Sequence, residues 1–167
     1  FRERLKFPPQ HASLRAFRHQ GLTRPGGIPT FVERSTEWGF DFVGVSHGLA
    51  LGDLDGDGDL DVVVNHLNAP AGLYENLATA PRLSVRLRGR APNTEAVGAS
   101  LRFWWRTPGS NGEPPAEPAD QSAQVFPGGR YLSSDALGRT FACPGPGLGT
   151  LEVRWPSGHI TRRTGLE

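Results

Sequence analysis

The sequence predicts a mainly β chain made of two small units, and three observations carry that expectation. Twenty-two glycines and fifteen prolines among 167 residues weigh against helices, because glycine costs about 1 kcal/mol and proline about 3 kcal/mol in a helix interior. Apolar and polar residues alternate at period two in stretches such as Leu83-Ser84-Val85-Arg86-Leu87, the pattern of a half-buried strand. Turn-forming clusters such as Asn68-Ala69-Pro70-Ala71-Gly72 separate the short apolar runs. With 37% hydrophobic and 21% charged residues, the chain has the balance of an ordinary globular protein and enough apolar mass for a core.

Residues 1–30 form a basic N-terminal arm. Arg2, Arg4, Lys6, Arg15, Arg18 and Arg24 stand there with His11 and His19, broken by Pro8-Pro9 and Pro25-Gly26-Gly27. Such a segment either wraps over a partner or an anionic surface, or is a partly disordered end. Leu14 and Phe17, three apart, predict a short helix around residues 12–20. The arm lacks the interleaved aromatics that stack single-stranded nucleic acid. A formal charge of +1 gives no global attraction for nucleic acid or an anionic membrane.

Residues 31–80 are expected to hold three or four short strands, with Phe31, Trp38, Phe40, Phe42 and Tyr74 as their apolar bulk. Within them, Asp53-Leu54-Asp55-Gly56-Asp57-Gly58-Asp59-Leu60-Asp61 places a carboxylate at every odd position, and Val62-Val63-Val64 follows at once. Five carboxylates this close repel one another unless a hard cation shares their oxygens, and Ca²⁺ takes six to eight oxygen ligands in flexible geometry. The loop is not an EF-hand. Counting from Asp53, the glycine of position six is present as Gly58, but position twelve is Val64 where an EF-hand has a bidentate Glu. The closing carboxylate is therefore Asp61. Asp53, Asp55 and Asp57 are the other expected side-chain ligands, with Asp59 contributing its main-chain carbonyl and turning its side chain to solvent.

Gly48-Leu49-Ala50-Leu51-Gly52, the acidic loop, Val62-Val63-Val64-Asn65 and Leu73-Tyr74-Glu75-Asn76 together resemble one FG-GAP/VCBS repeat, the calcium-binding blade unit of integrin-type β-propellers. Residues 31–36 and 38–40 resemble the lead-in strand of such a blade. From about Leu83 the chain is similar to the ASPIC/UnbV domain that follows these repeats in cartilage-acidic-protein-like proteins. The matching pieces are residues 83–89, Asn93 with Val97-Gly98-Ala99, Gly128-Gly129-Arg130-Tyr131-Leu132-Ser133-Ser134 and Val153-Arg154-Trp155-Pro156-Ser157-Gly158. The resemblance implies a propeller-blade-like calcium-binding unit followed by a second module. A propeller closes from typically four to eight blades, whereas this chain carries one repeat. Where the second domain has a Phe-Gly-Leu-Gly-like segment, this chain has Phe141-Ala142-Cys143-Pro144-Gly145-Pro146-Gly147-Leu148-Gly149.

Residues 78–81 read as the boundary between the units, and residues 82–167 as a small β-sandwich or barrel-like module. After the strand at residues 83–87, Leu101, Phe103 and Trp105 share one face of a second strand. Trp104 turns outward beside Arg102 and Arg106, either as a binding surface or covered by the proline-rich excursion of residues 108–120. Residues 123–126 read as another strand. Residues 151–155, Pro156-Ser157-Gly158-His159 and Ile160-Thr161 read as a closing hairpin.

No catalytic set stands out. Ser46-His47 and His66 flank the acidic loop, and Ser133-Ser134-Asp135 with His159 has the composition of a triad, but nucleophilic catalysis requires a spatial arrangement that sequence does not give. Ser134-Asp135 suits a turn or cap, and Gly128-Gly129 suits a β-turn. With one cysteine, Cys143, no internal disulfide can form. The absence of Met and the start at Phe1 are expected of a processed or excised chain. No apolar run reaches the ~20 residues of a membrane span. Extracellular calcium modules bind with dissociation constants of about 10⁻⁴ to 10⁻³ M, so the loop points to an extracellular, periplasmic or cell-surface setting. The expected function is a non-catalytic calcium-binding structural module docked on a larger protein assembly. A carbohydrate- or matrix-binding adhesion module is the alternative, and an accessory domain of an enzyme the third.

Overall fold

The computed structural model describes residues 12–23, 26–106 and 119–166. Arg2, Arg4, Lys6, His11 and Arg24, and the proline-rich excursion expected to cover Trp104, lie outside the described residues except at its end, 119–120. The described residues are mainly β and contain no helix, and their sheets do not close into a barrel. Among the described residues, no helix is long and apolar enough to cross a membrane.

The helix expected around residues 12–20 is replaced by β1 (Ala12–Ser13) and β2 (Phe17–Leu22). A segment this short is a marginal helix in water, and cross-strand partners win. β1 pairs with β4 (Val43–Gly44). β2 pairs with β3 (Pro29–Glu33), setting Phe17 opposite Glu33 and His19 opposite Phe31, so the hairpin runs across residue 30, where the basic arm was expected to end.

The acidic loop joins β5 (Ser46–Gly52) to β6 (Asp61–His66), and β7 (Gly72–Tyr74) completes an antiparallel sheet in the order β5-β6-β7. The β6–β7 turn places Asn68 at φ 56°, a left-handed conformation that Asn tolerates. The aromatics expected as core here are only partly enclosed. Phe31 and Trp38 are exposed, while Phe40 stacks on Tyr74 at 4.2 Å and Phe42 on His66 at 3.7 Å. Val64 is the one fully buried apolar side chain among the described residues before position 81.

The second unit owns the core. β9 (Ser100–Arg106) and β14 (Leu148–Arg154) are the central strands of a four-stranded antiparallel sheet, flanked by β10 (Ala119–Gln124) and β15 (Ile160–Leu166). The strand expected at residues 123–126 thus starts earlier, opposite Trp105. The period-two pattern holds: Leu101, Phe103 and Trp105 are buried, and Leu151 and Val153 lie opposite Phe103 and Leu101. A ribbon of β8 (Arg82–Val85) and β13 (Arg139–Ala142) supplies Leu83, Val85 and Phe141 to the same cluster. Gly149 is required where β14 crosses Phe103, since a Cβ there would come within 2.6 Å of the ring. The closing hairpin forms as expected between β14 and β15, with Gly158 N donating to Trp155 O at 2.8 Å and Trp155 N to His159 O at 2.9 Å.

The two units are bonded to each other through β5. An edge strand exposes unpaired N–H and C=O groups, and here β11 (Gly129–Arg130) and β12 (Ser133–Ser134) bring a turn against it. Asp135 Oδ1 accepts from Leu51 N at 2.8 Å, Ala136 N donates to Leu51 O at 2.8 Å, and the Ser133 hydroxyl donates to Leu49 O. Burial pulls the Asp135 carboxyl up, but Arg130, the Leu51 amide and Arg139 outweigh it and hold it below the usual carboxylate range.

Two outcomes are expected. Phe103→Ala removes a fully enclosed ring and should cost about 3–5 kcal/mol in denaturant unfolding. Asp135→Asn should be less stable than the wild type at neutral pH. Because the folded-state value is depressed, the carboxylate's stabilisation is complete above its unfolded value of about 3.9 and is lost as pH falls through the folded value. The stability gap between the two proteins, followed by thermal unfolding, should therefore hold steady above about pH 4 and close below it.

Candidate metal centre

The register that sets Gly52 opposite Asp61 makes residues 53–60 the closing loop of the β5–β6 hairpin. The chain reverses tightly because Gly56 and Gly58 take φ of 84° and 92°, values costly for residues with a Cβ. The carboxylates then organise the backbone. Asp53 accepts from Gly56 N at 2.7 Å and from Gly58 N at 3.1 Å, Asp55 from Asp57 N at 3.1 Å, and Asp57 from Asp59 N at 2.9 Å. Asp61, 2% exposed, accepts from Leu54 N at 2.8 Å and Asn76 N at 2.9 Å. Those two amides hold its carboxyl below the usual range against the opposing effect of burial.

The five aspartates divide into two groups. Oxygens of Asp53, Asp55 and Asp61 lie within 4.8 Å of one another. Calcium–oxygen distances of about 2.3–2.6 Å give a coordination shell roughly 5 Å across, so one ion can touch all three. Each carboxylate retains lone pairs beyond those its backbone donors use. An all-oxygen, triply anionic set suits a hard divalent cation, and its backbone-fixed loop leaves the geometry adaptable.

Asp57 and Asp59 are drawn instead toward Arg82, at the start of β8. Asp59 does not turn to solvent as expected: it is 3% exposed, and Arg82 Nη1 donates to its Oδ2. Arg82 Nη2 lies 3.8 Å from Asp57 and donates to the Ala78 carbonyl. A buried carboxylate needs a partner, and the nearby guanidinium supplies it. Burial still pushes the Asp59 carboxyl above its ordinary value, with Arg82 acting against it and Asp57 and Asp61 adding to it. Its Oδ1 is buried with no hydrogen-bond partner among the described residues. The Thr140 hydroxyl, from β13, donates to Gly58 O at 3.2 Å. Sequence reasoning missed Arg82, Asn76 and Thr140 as parts of this site. Only Arg82 carried a hint, as the first cationic side chain after the acidic loop's own sheet.

The other candidate side chains are partly assembled. Ser46 Oγ and His66 Nδ1 lie 2.9 Å apart, with His66 buried under Phe42, while His47 is exposed. Asp135 is engaged by Arg130 and Leu51, and Ser134 Oγ accepts from Gly128 N at 2.8 Å, so these residues serve a turn. Trp104 is half-buried, with the Arg102 guanidinium 4.8 Å above its ring and Arg102 also bound to Asp120. No family model matches the chain, and no curated protein or solved structure is significantly similar to it.

Arg82→Gln should leave Asp59 as an uncompensated buried charge, destabilising the protein by about 3 kcal/mol. Adding Asp59→Asn to that variant should restore part of the loss in a double-mutant cycle. Additive losses in chemical unfolding would mean that the two side chains do not work as a pair.

Proposed function

We propose that this chain is a non-catalytic, calcium-binding structural module that docks on a larger protein assembly. The observation that carries the reading is the convergence of Asp53, Asp55 and Asp61 within 4.8 Å, with Asp61 buried and fixed by two amides. Calcium would occupy that cluster and neutralise it. Asp57 and Asp59 stand behind it through their bonds to Arg82 and the loop backbone.

The ion's role is stabilisation. The unit that holds the loop has almost no core of its own, Val64 apart, so its sheet gains from any ligand bound only in the folded state. That role suits an extracellular, periplasmic or cell-surface setting, where free calcium is high enough to fill a weak site. The likeness to an FG-GAP/VCBS blade followed by an ASPIC/UnbV domain, with a sandwich-like second unit, belongs to the same proposal. Phe17, Ile28, Phe31, Leu73 and Leu77, on or beside β2, β3 and β7, are exposed, and the docking role would draw on side chains of this kind. Large exposed apolar groups of this kind mark interaction surfaces when they gather.

Calcium should raise the unfolding temperature. At a hundredfold excess over the dissociation constant it should add about 2.7 kcal/mol of stability. Asp55→Asn, at an exposed position with one backbone bond, should weaken calcium binding on the order of tenfold and leave stability in chelator unchanged. Calorimetric titration showing no calcium uptake, or a variant that loses equal stability with and without calcium, would sink the proposal.

A further inference from the structure

A second site lies far along the chain from the acidic loop. A cleft of about 690 Å³ opens between the segment after β8 and the β14–β15 hairpin, lined by Arg88, Arg90, Trp155, Pro156, His159 and Thr161. Its volume falls within the roughly 300–1,000 Å³ of small-molecule sites. No carboxylate lines it. Glu95, the acid nearest in sequence to the two arginines, pairs with Arg86 at 3.6 Å. Arg102, Arg130 and Arg162 each hold a carboxylate, whereas Arg88 and Arg90 make no ion pair among the described residues.

The walls are fixed and the charges are free. Trp155 Nε1 donates to the Thr161 hydroxyl at 2.9 Å, which sets the indole. Asn93, also in the lining, is committed to both backbone groups of Val97 at 2.8 and 2.9 Å. Gly89 N donates to Thr94 O and Gly158 N to Trp155 O, so these two amides do not form a phosphate-cradling nest. What remains for a ligand is two guanidinium forks, an imidazole and an aromatic and proline wall. Guanidinium forks match carboxylate and phosphate oxygens bidentately, a geometry the tetrahedral sulfate group shares, and an indole beside proline gives an apolar surface for the face of a ring.

We propose that this cleft binds an acidic oligosaccharide, with Arg88 and Arg90 holding its anionic groups and Trp155 packing against a sugar ring. The cleft shares no lining residue with the cation loop. It gives the second unit a binding role that the exposed face of Trp104, already covered by Arg102 on one side, serves less well.

The test is calorimetric titration of the whole chain in calcium with a heparin-derived tetrasaccharide, with maltotetraose and ATP as the neutral and the phosphate-bearing comparisons. The acidic tetrasaccharide should bind, shift the Trp155 indole N–H resonance, and lose about tenfold in affinity with each of Arg88→Gln and Arg90→Gln. Both arginines are exposed, so their replacement should leave the unfolding temperature unchanged. Arg162→Gln, on a paired surface arginine, should not affect binding. Absence of binding, equal binding of maltotetraose, ATP binding as tightly, or equal losses in Arg162→Gln would overturn the proposal.

Discussion

Crowded negative charge in residues 53–61 is the constraint on which the arrangement of the two units depends. Five carboxylates on one hairpin loop cannot all be left facing one another. The fold separates them, leaving Asp53, Asp55 and Asp61 together and sending Asp57 and Asp59 toward Arg82. Arg82 is the first residue of β8, whose partner β13 also supplies Thr140 to the loop. The group that relieves the loop's repulsion is thus built into the second unit's own sheet. Arg82 balances part of the loop's charge while tying the loop to the second unit.

The units contribute unequally to that union. Residues after position 81 enclose Leu101, Phe103, Trp105, Phe141, Leu151 and Val153 in one cluster, enough apolar burial to drive folding. The β5-β6-β7 sheet has no comparable cluster and instead borrows hydrogen bonds. Leu51 is bonded at both backbone groups by residues 135–136, which caps an edge that would otherwise be open. The second unit carries the apolar core, and the first is fastened to it by these hydrogen bonds. The loop's backbone bonds run through the carboxylates of Asp53, Asp55 and Asp57, so in the proposed role a cation shared by these oxygens would act on the loop's order as well as its charge.

Much of this was legible where local pattern and chemistry coincide. The alternation at residues 100–106 marked Leu101, Phe103 and Trp105 as buried because a strand's period is two and one face meets the core. The spacing of aspartates and Gly58 marked the loop, since turn geometry and oxygen ligation demand the same residues. Asp59 shows the limit. Its odd position marked it as one more acid of the ladder, but its burial depends on Arg82, 23 residues away, and nothing local encodes that meeting. The helix expected at residues 12–20 failed for the same reason: Leu14 and Phe17 fit a helical spacing, yet β3 and β4 offered strand partners from later in the chain.

The edges left over bear on how the chain avoids indiscriminate strand pairing. β7 is three residues long, with Leu73 70% exposed at its centre, and the β2–β3 hairpin is irregular between His19 and Leu22. Short and bulged edges template added strands poorly, a device by which soluble proteins resist aggregation. The backbone alone therefore gives little affinity at these edges. Recognition in the proposed docking role must come from side chains, from Phe31, Ile28 and Leu77 meeting complementary apolar surface, and a partner lacking that surface gains nothing from the strand edge. In that proposed role, specificity would come from weakening the contact any chain could make and leaving the one that only a matched surface can.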